Sequence, residues 1–137
     1  MSEQKTCLII DDSSVIREIA ARILSDLGLQ SAQAETAVTG LDVCLEAAPD
    51  AVLLDWDLPS MGALDFLRGA AELPEEKKPV IILCATENDH QQFTLAKAAG
   101  AAYHVLKPYD RQSLCAVLAE AEIIEASAVG DGKHAAG

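Results

Sequence analysis

Basic residues are scarce in this chain: 10 lysines and arginines face 22 aspartates and glutamates, for a formal charge of −12 and a pI near 4.4. That balance repels DNA, RNA and anionic membrane surfaces, which excludes nucleic acid as a direct partner. No stretch approaches the ~20 apolar residues of a transmembrane helix. The opening Ser2-Glu3-Gln4-Lys5 is polar, with only a short apolar stretch after it, so no signal peptide is expected and a cytoplasmic location is. Cys-x-x-Cys pairs are absent too. Cys7, Cys44, Cys84 and Cys115 lie far apart inside apolar segments and read as small buried hydrophobes, and His90, His104 and His134 are scattered, so no zinc site is expected. There is no internal repeat and no linker between two large apolar blocks.

What is present is one domain's worth of chain, 137 residues with 50% apolar content. Strand signals alternate with helix signals throughout, the sequence form of βα units around a parallel sheet. Short apolar runs, Leu8-Ile9-Ile10 and Ala51-Val52-Leu53-Leu54, read as strands buried on both faces. A weaker strand is expected near Ser31 to Glu35, a fourth over Val80 to Cys84 and a fifth over Tyr103 to Leu106. The first helix follows a cap at Ser13 or Ser14, carries Val15, Ile16, Ile19, Ala20, Ile23, Leu24 and Leu27 on one face, and stops at Gly28. A second helix runs from about Thr39 to Ala47, and a short third one carries Leu64, Phe66 and Leu67. The fourth is capped in Glu87-Asn88-Asp89, and Asp110 caps the last, whose face runs Leu114, Val117, Leu118, Ala121 and Ile124. The expectation is a doubly wound (βα)5 domain, five parallel strands in order 2-1-3-4-5, over residues 1–125. A disordered tail, 126–137, is expected after it.

The strongest signal lies where these runs end. Asp11-Asp12 follows the first run, Asp55 follows the third strand, and Lys107-Pro108 follows Val105-Leu106. Ligands of doubly wound sheets bind at the carboxyl ends of the strands, so three acids and a lysine should converge on one crevice. Such a set suits phosphoryl groups handled with a divalent metal. The plainer alternatives stand beside that reading. Asp-Asp after a strand is also a cap and turn device, at even odds for Asp11 taken alone, and a lysine before proline can be a solvated charge. Asp55 has no cheap structural reason to follow four apolar residues.

Leu-Ile-Ile-Asp-Asp-Ser-Ser at 8–14, Leu-Leu-Asp-Trp-Asp-Leu-Pro at 53–59, Ala-Gly-Ala at 99–101 and Leu-Lys-Pro-Tyr-Asp at 106–110 resemble the receiver domain of two-component response regulators. Cys-Ala-Thr-Glu-Asn-Asp at 84–89 is similar to chemotaxis-type, CheY-like single-domain receivers of alphaproteobacteria. The resemblance covers about residues 5 to 125. It implies that Asp55 is the phosphoacceptor, that Asp11, Asp12, Asp55 and the backbone carbonyl of Asp57 hold Mg2+, and that Lys107 pairs with phosphoryl oxygens. It implies a signalling protein that is no enzyme beyond promoting its own phosphorylation and dephosphorylation. Implied partners are a histidine kinase or phosphotransfer protein and a protein output target, such as a motor component or a kinase, met through helix four, strand five and helix five. No output domain is expected after the last helix.

The chain departs from that family at its switch positions. Spacing from Lys107 puts Ala85 where the family carries a hydroxyl, with Cys84 there under a one-residue shift, and Thr86 is the only hydroxyl on offer. His104 stands where an aromatic switch is usual, with Tyr103 on the opposite face, and Gly62-Ala63 replaces Asp-Gly. His104 reads either as a pH-responsive group or as a partly buried filler. Asp57 and Glu87 flank the pocket. A pseudo-receiver that binds partners without phosphorylation is the competing reading, favoured by Ala85 and opposed by Asp12, Asp55 and Lys107. A flavin or nucleotide carrier ranks last, because acids replace the phosphate-binding donors needed after the first strand.

Overall fold

A computed structural model describes residues 4–86 and 90–125. The expected cap at Glu87, Asn88 and Asp89, the histidine at 134 and the tail 126–137 lie outside them. Five strands, β1 (Thr6–Ile10), β2 (Gln30–Ala34), β3 (Ala51–Asp55), β4 (Val80–Ala85) and β5 (Tyr103–Leu106), pair in parallel in the order β2-β1-β3-β4-β5. They alternate with α1 (Ser14–Asp26), α2 (Ala37–Ala47), α3 (Gly62–Ala71), α4 (His90–Ala98) and α5 (Arg111–Glu120), the (βα)5 arrangement expected.

The continuous apolar runs are explained by the two covered faces of the sheet, because alternate side chains point to opposite sides. Leu8, Ile10, Val52, Leu54, Ile81 and Leu83 pack with α2, α3 and α4 through Cys44, Phe66, Leu67 and Ala96. Cys7, Ile9, Ala51, Leu53, Ile82 and Cys84 pack with α1 and α5 through Ala20, Leu24, Leu114 and Leu118. All four cysteines are free and buried. The polar β2, Gln-Ser-Ala-Gln-Ala, is an edge strand and is largely exposed.

Helix ends follow local chemistry. Ser13 Oγ accepts the Ile16 N–H at 3.3 Å, Thr36 Oγ1 accepts that of Thr39 at 3.2 Å, and Asp110 forms a reciprocal capping box with Ser113. Gly28, at φ 85°, lies just past the end of α1, where a side chain would be strained.

Several expectations are corrected. Val15 and Ile19 are 64% and 44% exposed. The stripe of α1 that meets the sheet is Ile16, Ala20, Ile23, Leu24 and Leu27, and the other two sit four residues apart on its shoulder. Strand β2 begins one residue earlier than expected, and β4 runs one residue further, to Ala85. Helix α5 ends at Glu120, short of Ile124, where Glu122 takes a left-handed φ of 62° and Ile123 folds back into the core.

Candidate functional site

Parallel register builds the site. Ile10 pairs with Leu54, so the residues that follow them, Asp11 and Asp55, become neighbours at the carboxyl edge of the sheet. Ala85 pairs with Leu106, and the Lys107 N–H donates to the Ala85 carbonyl at 2.8 Å, which brings the lysine to the same edge. Lys107 Nζ then reaches back across β4 and donates to Asp55 Oδ1 at 2.9 Å and to Asp11 Oδ2 at 3.1 Å.

Asp11 and Asp55 are each 2% exposed and are the only buried polar or charged residues among those described. The burial of Asp55 raises its pKa, and the Lys107 ammonium and the Asp57 N–H, which donates to Asp55 Oδ1 at 3.0 Å, pull it part of the way back. Burial pushes Lys107 down, but its bonds to the two carboxylates outweigh that and leave its pKa raised. The two carboxylates therefore hold Lys107 in its charged form.

Asp55 Oδ1 has two donors, whereas Oδ2 has none. No buried side-chain oxygen among the described residues lacks a partner, so Oδ2 must open to the surface. That leaves one carboxylate oxygen anchored and one available as a nucleophile.

Oxygens of Asp11, Asp12 and Asp55 all lie within 4.8 Å of one another. Magnesium holds octahedral oxygens at about 2.0–2.1 Å, which places opposite ligands about 4.1 Å apart, so small side-chain adjustments would accommodate the ion. The charge also fits, since three carboxylates beside one ammonium leave two negative charges uncompensated. Asp12 is exposed, as a ligand facing incoming solvent and substrate should be.

Asp11 Oδ1 accepts the Ser13 N–H at 2.9 Å as a turn device, while its Oδ2 accepts from Lys107 at 3.1 Å. At the end of β4, Cys84 points into the core beside α1 and α5, and burial holds its thiol well above the usual range. Ala85 is the last strand residue, buried and without a hydroxyl. Thr86 is exposed just beyond it, and its hydroxyl makes a long 3.5 Å contact to Asp57 Oδ2 rather than to Asp55 or Lys107.

On β5, Tyr103 packs with the α1/α5 core, whereas His104 is exposed on the other face. There it stacks on Phe93 of α4, ring centroids 4.2 Å apart and planes 20° from parallel. The expected partly buried filler is instead an open surface group, because β5 is an edge strand.

Arg17 and Gln33 escaped the sequence reading. Arg17 Nη1 donates to the Asp11 carbonyl at 2.6 Å and its Nε donates to Gln33 Oε1 at 3.1 Å. A lone cation early in an apolar helix that follows two acids was the available signal.

Residues 7–119 match the family described as the response regulator receiver domain. The chain is 32% identical over 108 residues to the chemotaxis protein CheY of Pseudomonas aeruginosa, covering 78% of this chain and 87% of that one. It is 32% identical over 103 residues to sporulation initiation phosphotransferase F of Bacillus subtilis, covering 75% and 82%. Its backbone is similar to that of chemotaxis response regulator CheY4 of Vibrio cholerae, with a TM-score of 0.79 over 86% of this chain and 98% of that one. At 24% identity that likeness speaks for the fold alone.

Proposed function

We propose, from the premise that this chain belongs to the response regulator receiver family, that it accepts a phosphoryl group on Asp55 from a histidine kinase or phosphotransfer protein. The observation that carries the reading is the Lys107 bridge, which anchors Asp55 Oδ1 and leaves Oδ2 free beside Asp11 and Asp12.

Asp55 Oδ2 attacks the phosphorus of a phosphohistidine; the new O–P bond forms as the N–P bond breaks, and the imidazole nitrogen keeps the electron pair. Lys107 follows the charge, because its ammonium already lies at Asp55 and can share a hydrogen bond with a phosphoryl oxygen as a point charge. The Asp57 N–H holds Oδ1 still, which fixes the direction in which Oδ2 points. Asp11, Asp12, Asp55 and the carbonyl of Asp57 would hold Mg2+, which when bound neutralises phosphoryl oxygens that would otherwise meet several carboxylates.

Output follows by protein binding at the face of α4, β5 and α5, where Leu95 and Leu106 are 63% and 44% exposed. The likeness to the chemotaxis protein CheY of Pseudomonas aeruginosa supports a motor component or a kinase as that partner. The hydroxyl that usually contacts the phosphoryl group has no counterpart at Ala85, so Thr86 would have to turn away from Asp57 to serve.

The test is the intact mass of the protein after incubation with acetyl phosphate and Mg2+, beside Asp55→Asn. One added phosphoryl group that requires both Mg2+ and Asp55 supports the reading. No adduct under any of these conditions overturns it and leaves a binding module that works unphosphorylated.

A further inference from the structure

Every polar atom of Asp11 is engaged. Its N–H donates to the Ala34 carbonyl of β2 at 3.1 Å, Oδ1 accepts from Ser13 at 2.9 Å and Oδ2 accepts from Lys107 at 3.1 Å. The fourth atom, the carbonyl, takes the shortest bond at the site, 2.6 Å from Arg17 Nη1. Asp12, next in the chain, is exposed and has no partner of its own among the described residues. Its carboxylate therefore goes where the Asp11–Asp12 peptide plane sends it, and Arg17 holds that plane.

The clamp has a second anchor. The guanidinium is a planar fork, and while one nitrogen grips Asp11 another grips Gln33 Oε1 at 3.1 Å. Gln33 lies on β2 opposite Ile9, two residues before Asp11 on β1. Arg17 thus ties α1, the β1 exit and the edge strand into one rigid corner beneath the acid pocket.

We infer that Arg17 is a positioning residue for divalent-cation binding, acting through the Asp11 carbonyl on the placement of Asp12. The inference rests on the proposed magnesium site. It opposes simple electrostatics, which is what makes it decidable: a positive charge beside three carboxylates should weaken cation binding, so deleting it would tighten binding if charge were all that mattered. A positioning role has the opposite sign, because partners that orient metal ligands contribute on the order of tenfold to affinity when removed.

The experiment is Mg2+ titration by calorimetry on wild type, Arg17→Lys, Arg17→Gln, Gln33→Leu and the Asp12→Asn background, with thermal melts to verify folding. Arg17→Lys keeps the charge but lacks the fork, and it should bind about tenfold more weakly, as should Arg17→Gln. On the Asp12→Asn background, Arg17→Gln should have no further effect, which a merely structural role would not produce. Gln33→Leu removes only the second anchor and should weaken binding several-fold. It decides the matter if the Arg17 variants fail to fold. Wild-type affinity in Arg17→Lys, or tighter binding in Arg17→Gln, overturns the inference alone. A wild type that binds no Mg2+ overturns the proposed site and the inference together.

Discussion

Lys107 and Asp55, separated by 52 residues in sequence, meet at 2.9 Å with side chains only 10% and 2% exposed. Burial works against both charges; contact with the carboxylates outweighs it for Lys107, and contact with Lys107 offsets it only in part for Asp55. A third member, Asp11, shares the lysine at 3.1 Å. The site is a small ionic lattice whose members are set by strand register rather than by proximity in sequence.

Removing the lysine should expose that dependence. Lys107→Met leaves two nearly buried carboxylates without their cation, and stability at pH 7 should fall by roughly 3–5 kcal/mol in urea unfolding. Millimolar Mg2+ should recover much of the loss, because the cation replaces the missing charge. A Lys107→Met protein as stable as wild type in chelator would contradict this account of the pair.

Asp55→Asn should act in the other direction. A carboxylate whose pKa is raised in the folded state contributes stability that is fully present below its unfolded value, about 3.9, and is lost as pH rises through the folded value. Asparagine does not ionise, so the variant should be the more stable protein at pH 7. The two denaturation midpoints should converge as pH approaches 4, measured by urea unfolding at both pH values.

How much of this could be seen in the sequence depends on the range of the interaction involved. Asp55 and Lys107 were legible because apolar runs that end in a charge leave few alternatives, and Ser13, Gly28 and Asp110 were legible because caps are local. The exposure of Val15 and Ile19 was not, since periodicity gives a helix an apolar arc wider than the stripe the sheet covers. The choice among Cys84, Ala85 and Thr86 needed pairing: only the register Asp55 to Cys84 and Ala85 to Leu106 settles which side chain ends the strand. Arg17 and Gln33 needed a helix, a strand end and an edge strand to be placed together first.

Two helix glycines should respond differently to alanine. A Cβ on Gly40 would stand 2.5 Å from Ile10 Cδ1 and 3.1 Å from its Cγ1, with Phe66 at 3.4 Å. Both neighbours are fully buried. Overpacking of roughly 1–3 kcal/mol exceeds the gain in helix propensity of about 1 kcal/mol, so Gly40→Ala should lower stability by about 1 kcal/mol. A Cβ on Gly69 meets only the outer atoms of Leu41, which is half-exposed and can swing aside. Gly69→Ala should be neutral or up to about 1 kcal/mol stabilising. Thermal unfolding of the two variants side by side checks the contrast.

The thiols should be silent in the native state. All four are buried, and burial pushes Cys7 up to about 12 and Cys44 up to about 11, so those two carry almost no thiolate at pH 8. An aromatic disulfide reagent should label none of the four cysteines quickly in the folded protein and all of them in denaturant. Rapid labelling of one native thiol would show an opening to solvent that the packing excludes.

The sheet divides the apolar interior into two compartments that, among the described residues, share no side chain. A void made beside α1 or α5 cannot be filled from the α2, α3 and α4 side, because an unbroken ladder of backbone hydrogen bonds stands between them. Losses on opposite sides should therefore sum, whereas losses within one side should interact. The exception is the carboxyl edge, where Leu53 and Leu54 belong to different compartments and Asp55 follows both. Strain introduced on either side can reach the acid pocket there, so this chain can tolerate drift in one half of its core without disturbing the other, but not without the site registering it.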